Sequence, residues 1–350
     1  MANLERRLGL FSVITISMSS MVGSGIFVLP GIAFATTGPS VYLAFLLSAI
    51  CIMPAALSKA ELATAMPSSG GTYIYLERTF GPLVGTVSGL GLFLSILLKA
   101  SFALVGFKAY LSVITNFDAQ IISLVSLVGI ICLNIFGVSK VSKILTTVLM
   151  ITLVSMSFLC IFAFFEVDNN IDHFLPLFPM GMEGYFATTA LVFVSFAGVT
   201  KVAAIAEEVK EPEKNLPRGI IASLVLVTIV YCLVSFVLAE TYHYTQMANN
   251  LKPIYKLAKD IGGPTIGSIF ALIAILTMIN TANAGVLAGS RFPFAMARDS
   301  LLPSFLGKLH HKYLTPIVSI IVSGIIVAIV LISFDVVKIA KLASAFMILM

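Results

Sequence analysis

The chain has 350 residues, but 59% are hydrophobic, only 11% are charged, and the mean hydropathy is +1.07. A water-soluble surface needs roughly a quarter of all residues charged, and disorder needs low hydrophobicity, so both classes give way to one polytopic membrane domain over 1–350. The net charge of +5 is scattered through short loops without interleaved aromatics, which excludes nucleic acid as a partner.

Crossing about 30 Å of hydrocarbon takes roughly 20 apolar residues in a helix. Nine complete spans are predicted, over 10–36, 41–65, 83–113, 119–138, 144–165, 185–206, 219–239, 266–296 and 316–334. A tenth, 339–350, stops at the chain end and is too short to cross, so the expectation is a helix truncated here and continuing in a longer native chain. Arg6-Arg7 and Ala33-Phe34-Ala35 imitate the flanks of a secretory signal. The apolar stretch between them is about twice the usual length and further spans follow, so no cleavage is expected. Cys51, Cys132, Cys160 and Cys232 each lie in an apolar run with no CxxC and no nearby histidine. They read as small core residues, with neither disulfide nor metal expected.

Lysine and arginine set the orientation. With the N-terminus inside, the inner ends and loops collect 14 of the 21, including Arg6, Arg7, Arg78, Lys140, Lys143, Lys201 and Lys210. The outer side has five: Lys252, Lys256, Lys259, Lys338 and Lys341. The expectation is a multi-pass protein of the cytoplasmic membrane, lipid its surroundings and its N-terminus cytoplasmic.

Two spans carry residues that oppose a continuous helix. The first contains Met21-Val22-Gly23-Ser24-Gly25-Ile26-Phe27, and the sixth contains Phe193-Val194-Ser195-Phe196-Ala197-Gly198. Glycine in a helix costs roughly 1 kcal/mol relative to alanine. Small residues four apart serve helix packing, which suits Gly85 with Gly89 and Gly285 with Gly289. Three in a row, as at Gly23-Ser24-Gly25, suit unwinding better. Breaks in spans one and six, which run in opposite directions, predict an inverted repeat, about 8–165 and about 184–350, with a midplane site between discontinuous helices. Freed N–H groups beyond the first break suit a carboxylate. Freed carbonyls before it, and in the sixth span, suit an ammonium. Together they point to an α-amino acid.

At these residues the sequence resembles the amino acid–polyamine–organocation superfamily of permeases. Gly23-Ser24-Gly25-Ile26-Phe27 is similar to that family's helix-1 motif. So are Pro67-Ser68-Ser69-Gly70-Gly71-Thr72-Tyr73, Glu207-Glu208-Val209-Lys210-Glu211-Pro212 running on to Leu216-Pro217-Arg218, and Ala297-Arg298-Asp299 with Leu302-Pro303. The resemblance covers essentially the whole chain. It implies an all-α, LeuT-type five-plus-five fold and secondary transport of amino acids by alternating access, as proton-coupled symport or as exchange. It places the α-carboxylate on Gly23, Ser24, Gly25 and Ile26, and the α-ammonium on the carbonyls of Met21, Val194 and Ala197. Phe193 and Phe196 become candidates for wall or gate. The chain departs from some relatives: Thr200 stands where certain exchangers have glutamate, and Thr152 lies where certain proton-coupled members have lysine.

Lys99, central in the third span, is a coupling candidate, because an ionisable group in a membrane is functional by default. Its alternative is a structural lysine paired with carbonyls or with Asn280 or Asn283. Asn280, Thr281 and Asn283 in the eighth span either line the cavity, a sodium site included, or bond between helices. Glu207 and Glu208 either form an interfacial face or an inner gate with Arg78 or Lys201. The breaks hold no acidic residue, so a neutral L-amino acid is the expected substrate, with a polyamine or organic cation on the same fold as the alternative. The four histidines lie in loops, and HExxH, GxSxG and P-loop patterns are absent, so neither an enzyme nor a cofactor is expected. A channel would show a repeated filter or a charged ring.

Overall fold

The computed structural model describes residues 8–65, 72–115, 117–136, 141–166, 171–199, 209–311, 313 and 315–349, without the side chains of 141–145 and 171. Arg6, Arg7, Pro67 to Gly71, residues 137–138, Lys140, Thr200 to Glu208 and the Lys143 side chain therefore lie outside the described residues.

The described chain is helical: α1 (Leu10–Met21), α2 (Ser24–Phe27), α3 (Leu29–Thr37), α4 (Val41–Ala65), α5 (Thr72–Phe80), α6 (Pro82–Ile114), α7 (Ala119–Phe136), α8 (Val141–Glu166), α9 (Gly181–Val192), α10 (Pro212–Thr241), α11 (Tyr244–Met247), α12 (Pro253–Arg298), α13 (Ile317–Ser333) and α14 (Val336–Leu349). Seven helical stretches among the described residues are long and apolar enough to cross a membrane, while Leu10–Met21 and Ile317–Ser333 are shorter apolar helices. The protein is a multi-pass, all-helical membrane protein. Its faces are arranged for lipid: Phe158, Ile161 and Phe165 of α8 and Ile325, Ile329 and Ile332 of α13 are exposed, whereas Ser17, Ser48, Ser101, Thr152 and Ser323 are buried. Since lipid is as apolar as leucine, packing and interhelical hydrogen bonds must hold such a bundle.

The centre is α6, which packs most heavily on α12 and also on α14, α5, α13 and α7. Small residues permit that approach, with Gly285 against Ala100 and Gly289 against Leu97. Ser95 of α6 donates to Ala343 O of α14 at 3.3 Å.

Two regions expected to be loops are helical. α5 occupies the connection between the second and third spans, and the chain ahead of the eighth span forms the first part of α12. Gly263, at φ 79°, separates that part from the span itself. At the end of the bundle where α1 begins, Lys210 N donates to Leu8 O at 2.8 Å. At the α5 connection, Tyr73 Oη donates to Asp299 Oδ2 at 2.7 Å, joining two of the sequence motifs. Burial, and then the Asp299 carboxylate, raise the Tyr73 phenol well above its usual range, so it remains a donor.

At the opposite end, the turn after α11 lies on α3, with Asn249 N donating to Gly31 O at 2.9 Å. Beside it Asp260 accepts from Tyr242 Oη at 2.7 Å and pairs with Lys256 at 2.6 Å. Burial works against the Asp260 carboxylate, but these hydrogen bonds and the charges of Lys256 and Lys259 outweigh it and hold the carboxyl below its ordinary value. A carboxyl depressed in the folded state stabilises above its unfolded pKa and loses that contribution as pH falls through the folded value. Asp260→Asn is therefore expected to lower thermal stability at neutral pH by at most about 1 kcal/mol, as befits an exposed pair. Melting curves of variant and wild type should begin to draw together as pH falls below about 3.9 and meet only below the lower folded value; a gap of constant size would exclude the ion pair as its source.

Candidate functional site

α1 stops at Met21, Val22 is extended (φ −68°, ψ 117°), and Gly23 is extended as well (φ 174°, ψ −131°) before α2 resumes at Ser24. A helix end leaves its last carbonyls without intrahelical donors. Three spans supply substitutes. Lys99 Nζ of α6 donates to Ser20 O at 2.9 Å, Tyr231 Oη of α10 to Met21 O at 2.8 Å, and Thr281 Oγ1 of α12 to Val22 O at 3.3 Å.

The sixth span changes character at the same depth. Its α-helix ends at Val192 and continues as tighter 3₁₀ turns through 193–199. Ser344 of α14 bridges the change, donating to Leu191 O at 2.6 Å and accepting from Val194 N at 3.2 Å. Lys99 Nζ also donates to Ser195 O at 3.3 Å, so a single ammonium links both interrupted spans. The glycines make this approach sterically feasible. A methyl on Gly198 would lie 2.6 Å from Met21 N and from Ser20 C, and one on Gly23 would overlap Thr281. A methyl on Gly25 would lie 2.8 Å from Ser195 Oγ and 2.9 Å from Tyr231 Oη.

Two hydroxyls at this junction, Ser24 Oγ and Ser195 Oγ, are buried and have no hydrogen-bond partner among the described residues. A buried unsatisfied polar group costs about 1–3 kcal/mol. Such a cost is tolerable where a ligand answers it. As the first residues of α2, Ser24 and Gly25 also present N–H groups that have no acceptor within their own helix.

The remaining expected residues fall as follows. Ile26, Val194, Phe196 and Ala197 are buried, and Phe193 is half-buried. The Phe196 ring lies edge-on to Tyr231 at 5.4 Å. Met21 O, expected to be open for an ammonium, already accepts from Tyr231. The lysine of α6 donates to released carbonyls, the first of the two structural pairings expected of it. Asn283 Oδ1 accepts from Asn134 Nδ2 of α7 at 2.8 Å, which is the interhelical role. Asn280 is half-buried, and its neighbour Thr281 is the α12 residue that reaches the break. Thr152 and Thr277 share a hydrogen bond of 2.8 Å. The gate expected of Glu207 and Glu208 lies outside the described residues. Sequence reasoning missed Tyr231, the Ser195 side chain and Ser344, whose only signal is a polar group in an apolar run. No cluster of His, Cys, Asp or Glu that could hold a metal occurs among the described residues.

Residues 8–350 match the family model described as "Amino acid permease". The chain belongs to the amino acid permease family. It is thus a transporter rather than an enzyme. The permease is 31% identical over 340 residues to the branched-chain amino acid permease BcaP of Bacillus subtilis (strain 168), covering 91% of this chain and 72% of that protein. It is 30% identical over 344 residues to the methylthioribose transporter of the same organism, covering 93% of this chain and 74% of that one. With the vacuolar cationic amino acid transporter 8 of Arabidopsis thaliana the identity is 25% over 343 residues, 93% of this chain and 58% of the plant protein.

Proposed function

We propose that this permease carries neutral L-amino acids across the cytoplasmic membrane by alternating access, with its N-terminus in the cytoplasm and its spans arranged as an inverted repeat, about 8–165 and about 184–350. The observation that carries the reading is the interrupted first span against the 3₁₀ segment of the sixth, with Ser24 Oγ and Ser195 Oγ buried there and unanswered. The α-carboxylate sits on the backbone of Gly23, Ser24, Gly25 and Ile26. The α-ammonium uses the second lone pair of Met21 O and carbonyls of the Val194–Ala197 turn, since a carbonyl accepts twice. Phe193 and Phe196 wall the side chain. Lys99, which ties both spans together, is the site of the coupling proton; a sodium ion is the alternative coupling ion.

The BcaP relative supports an apolar amino acid. A cationic substrate is the second reading, favoured by the name of the plant relative. It would need an acidic partner, and among the described residues the contacts at the break come from Lys, Tyr, Thr and Ser.

Uptake of labelled neutral L-amino acids into proteoliposomes, with competition by decarboxylated and deaminated analogues, tests the proposal. The amino acid should compete strongly and each analogue weakly. Equal competition by the bare amine would exclude recognition of a zwitterion. Gly25→Val should abolish substrate binding while the protein still reaches the membrane, because its side chain would collide with Ser195 and Tyr231. Wild-type affinity in that variant would place the substrate elsewhere.

A further inference from the structure

We infer that Tyr231, together with the Ser195 hydroxyl, is a specificity-determining element that reads the ammonium end of the substrate. This rests on the zwitterion reading above and adds a third span, α10, to the head-group site. The Tyr231 ring is buried between Phe45, at 5.2 Å, and Phe196, at 5.4 Å, so its hydroxyl is held in one place. That hydroxyl gives its proton to Met21 O at 2.8 Å, the carbonyl released by the break. Ser195 Oγ, buried and without a partner among the described residues, approaches the same face of Gly25 from the sixth span.

A phenol has one proton and can still accept once that proton is donated. Around the end of α1 this leaves three acceptors: the second lone pair of Met21 O, the oxygen of Tyr231 and the oxygen of Ser195. An ammonium brings three donors and no acceptor, and so matches that set. A hydroxyl in its place brings one donor and leaves the other acceptors unanswered. An ammonium proton on the Tyr231 oxygen also polarises the bond from Tyr231 to Met21 O, so the contacts reinforce one another. The chemistry selected is thus a primary ammonium beside a carboxylate, against the hydroxy acid of the same shape.

The test compares binding of L-leucine and of its 2-hydroxy acid to the full chain in nanodiscs. Wild type should bind the amino acid far more tightly. In Tyr231→Phe, which keeps the ring between Phe45 and Phe196, affinity for leucine should fall on the order of tenfold, the scale of one hydrogen bond to a charged group, and that for the hydroxy acid less than about twofold. Ser195→Ala should narrow the preference in the same sense. A wild type that does not distinguish the two ligands overturns the zwitterion reading, and this inference with it. A wild type that prefers leucine, with Tyr231→Phe losing both ligands equally or neither, overturns the role of Tyr231 alone. Should Tyr231→Phe fail to fold, an unchanged preference in Ser195→Ala overturns the inference and a narrowed one supports it.

Discussion

Gly31→Ala is expected to cut transport at least about fivefold while leaving binding from the outer solution close to wild type. Gly31 lies on α3, where the turn after α11 covers the outer half of the first span in the proposed orientation. Asn249 N donates to Gly31 O at 2.9 Å, and a methyl group on Gly31 would overlap the carbonyl oxygen of Asn250. The obstacle is backbone, and it cannot rotate away as a side chain would. The turn has little slack of its own: Asn249 already stands at φ 62°, and the Asn250 side chain accepts from Lys252 N at 2.8 Å. Overpacking costs about 1–3 kcal/mol, which moves a two-state balance roughly five- to 150-fold. The strain exists only when the turn is down on α3, so the open arrangement is favoured and outside binding survives. Equilibrium binding to membranes and uptake by proteoliposomes separate the two effects. Gly9→Ala, with nothing near its added carbon, serves as the neutral control. Wild-type uptake by Gly31→Ala would mean that this seated turn is not a stage of the transport cycle.

The same contrast shows which features could be read from the chain. The second span, predicted over 41–65, is α4 at Val41–Ala65 because uninterrupted apolar length decides it. The interruption at Val22–Gly23 was legible because Gly23-Ser24-Gly25 opposes helix propensity in an otherwise apolar run. The partners that stabilise the interruption were not. Lys99 and Tyr231 meet carbonyls 79 and 210 residues away, and a carbonyl is the same in every residue. Carbonyls are one of the two expected partners of Lys99, but which carbonyls it reaches could not be read from the chain. The small residues near Gly198 marked a change in the sixth span. Its form, 3₁₀ turns anchored by Ser344, depends on a helix 150 residues later. The helical start of α12 is too short to cross a membrane and carries Lys256, Lys259 and Asp260 beside its buried Ile254, Leu257 and Ala258, so apolar length does not mark it, and the non-helical Gly263 separates it from the span.

Lys99→Met should reduce substrate accumulation at least about tenfold and flatten its dependence on pH. Lys99 is 4% exposed at the middle of α6, where an isolated charge costs several kcal/mol. Its bonds to Ser20 O and Ser195 O offset that cost, each such bond to a charged group contributing about 1.5–3 kcal/mol. Methionine fills similar space but donates nothing, so both carbonyls lose this donor and the first and sixth spans lose their shared tie. Loss of activity in this variant has two sources, the broken tie and the missing proton carrier. Lys99→Arg separates them. Arginine keeps a donor and a charge but does not release its proton in a protein, so it preserves the tie and removes the titration. Substrate exchange across the membrane requires only that the tie form and part; accumulation driven by a proton gradient requires the group to change its charge. The arginine variant should therefore retain exchange and lose gradient-driven accumulation, whereas the methionine variant loses both. If both variants accumulate substrate with the wild-type response to pH, the coupling proton is carried elsewhere, and Lys99 serves only to hold the interrupted helices together.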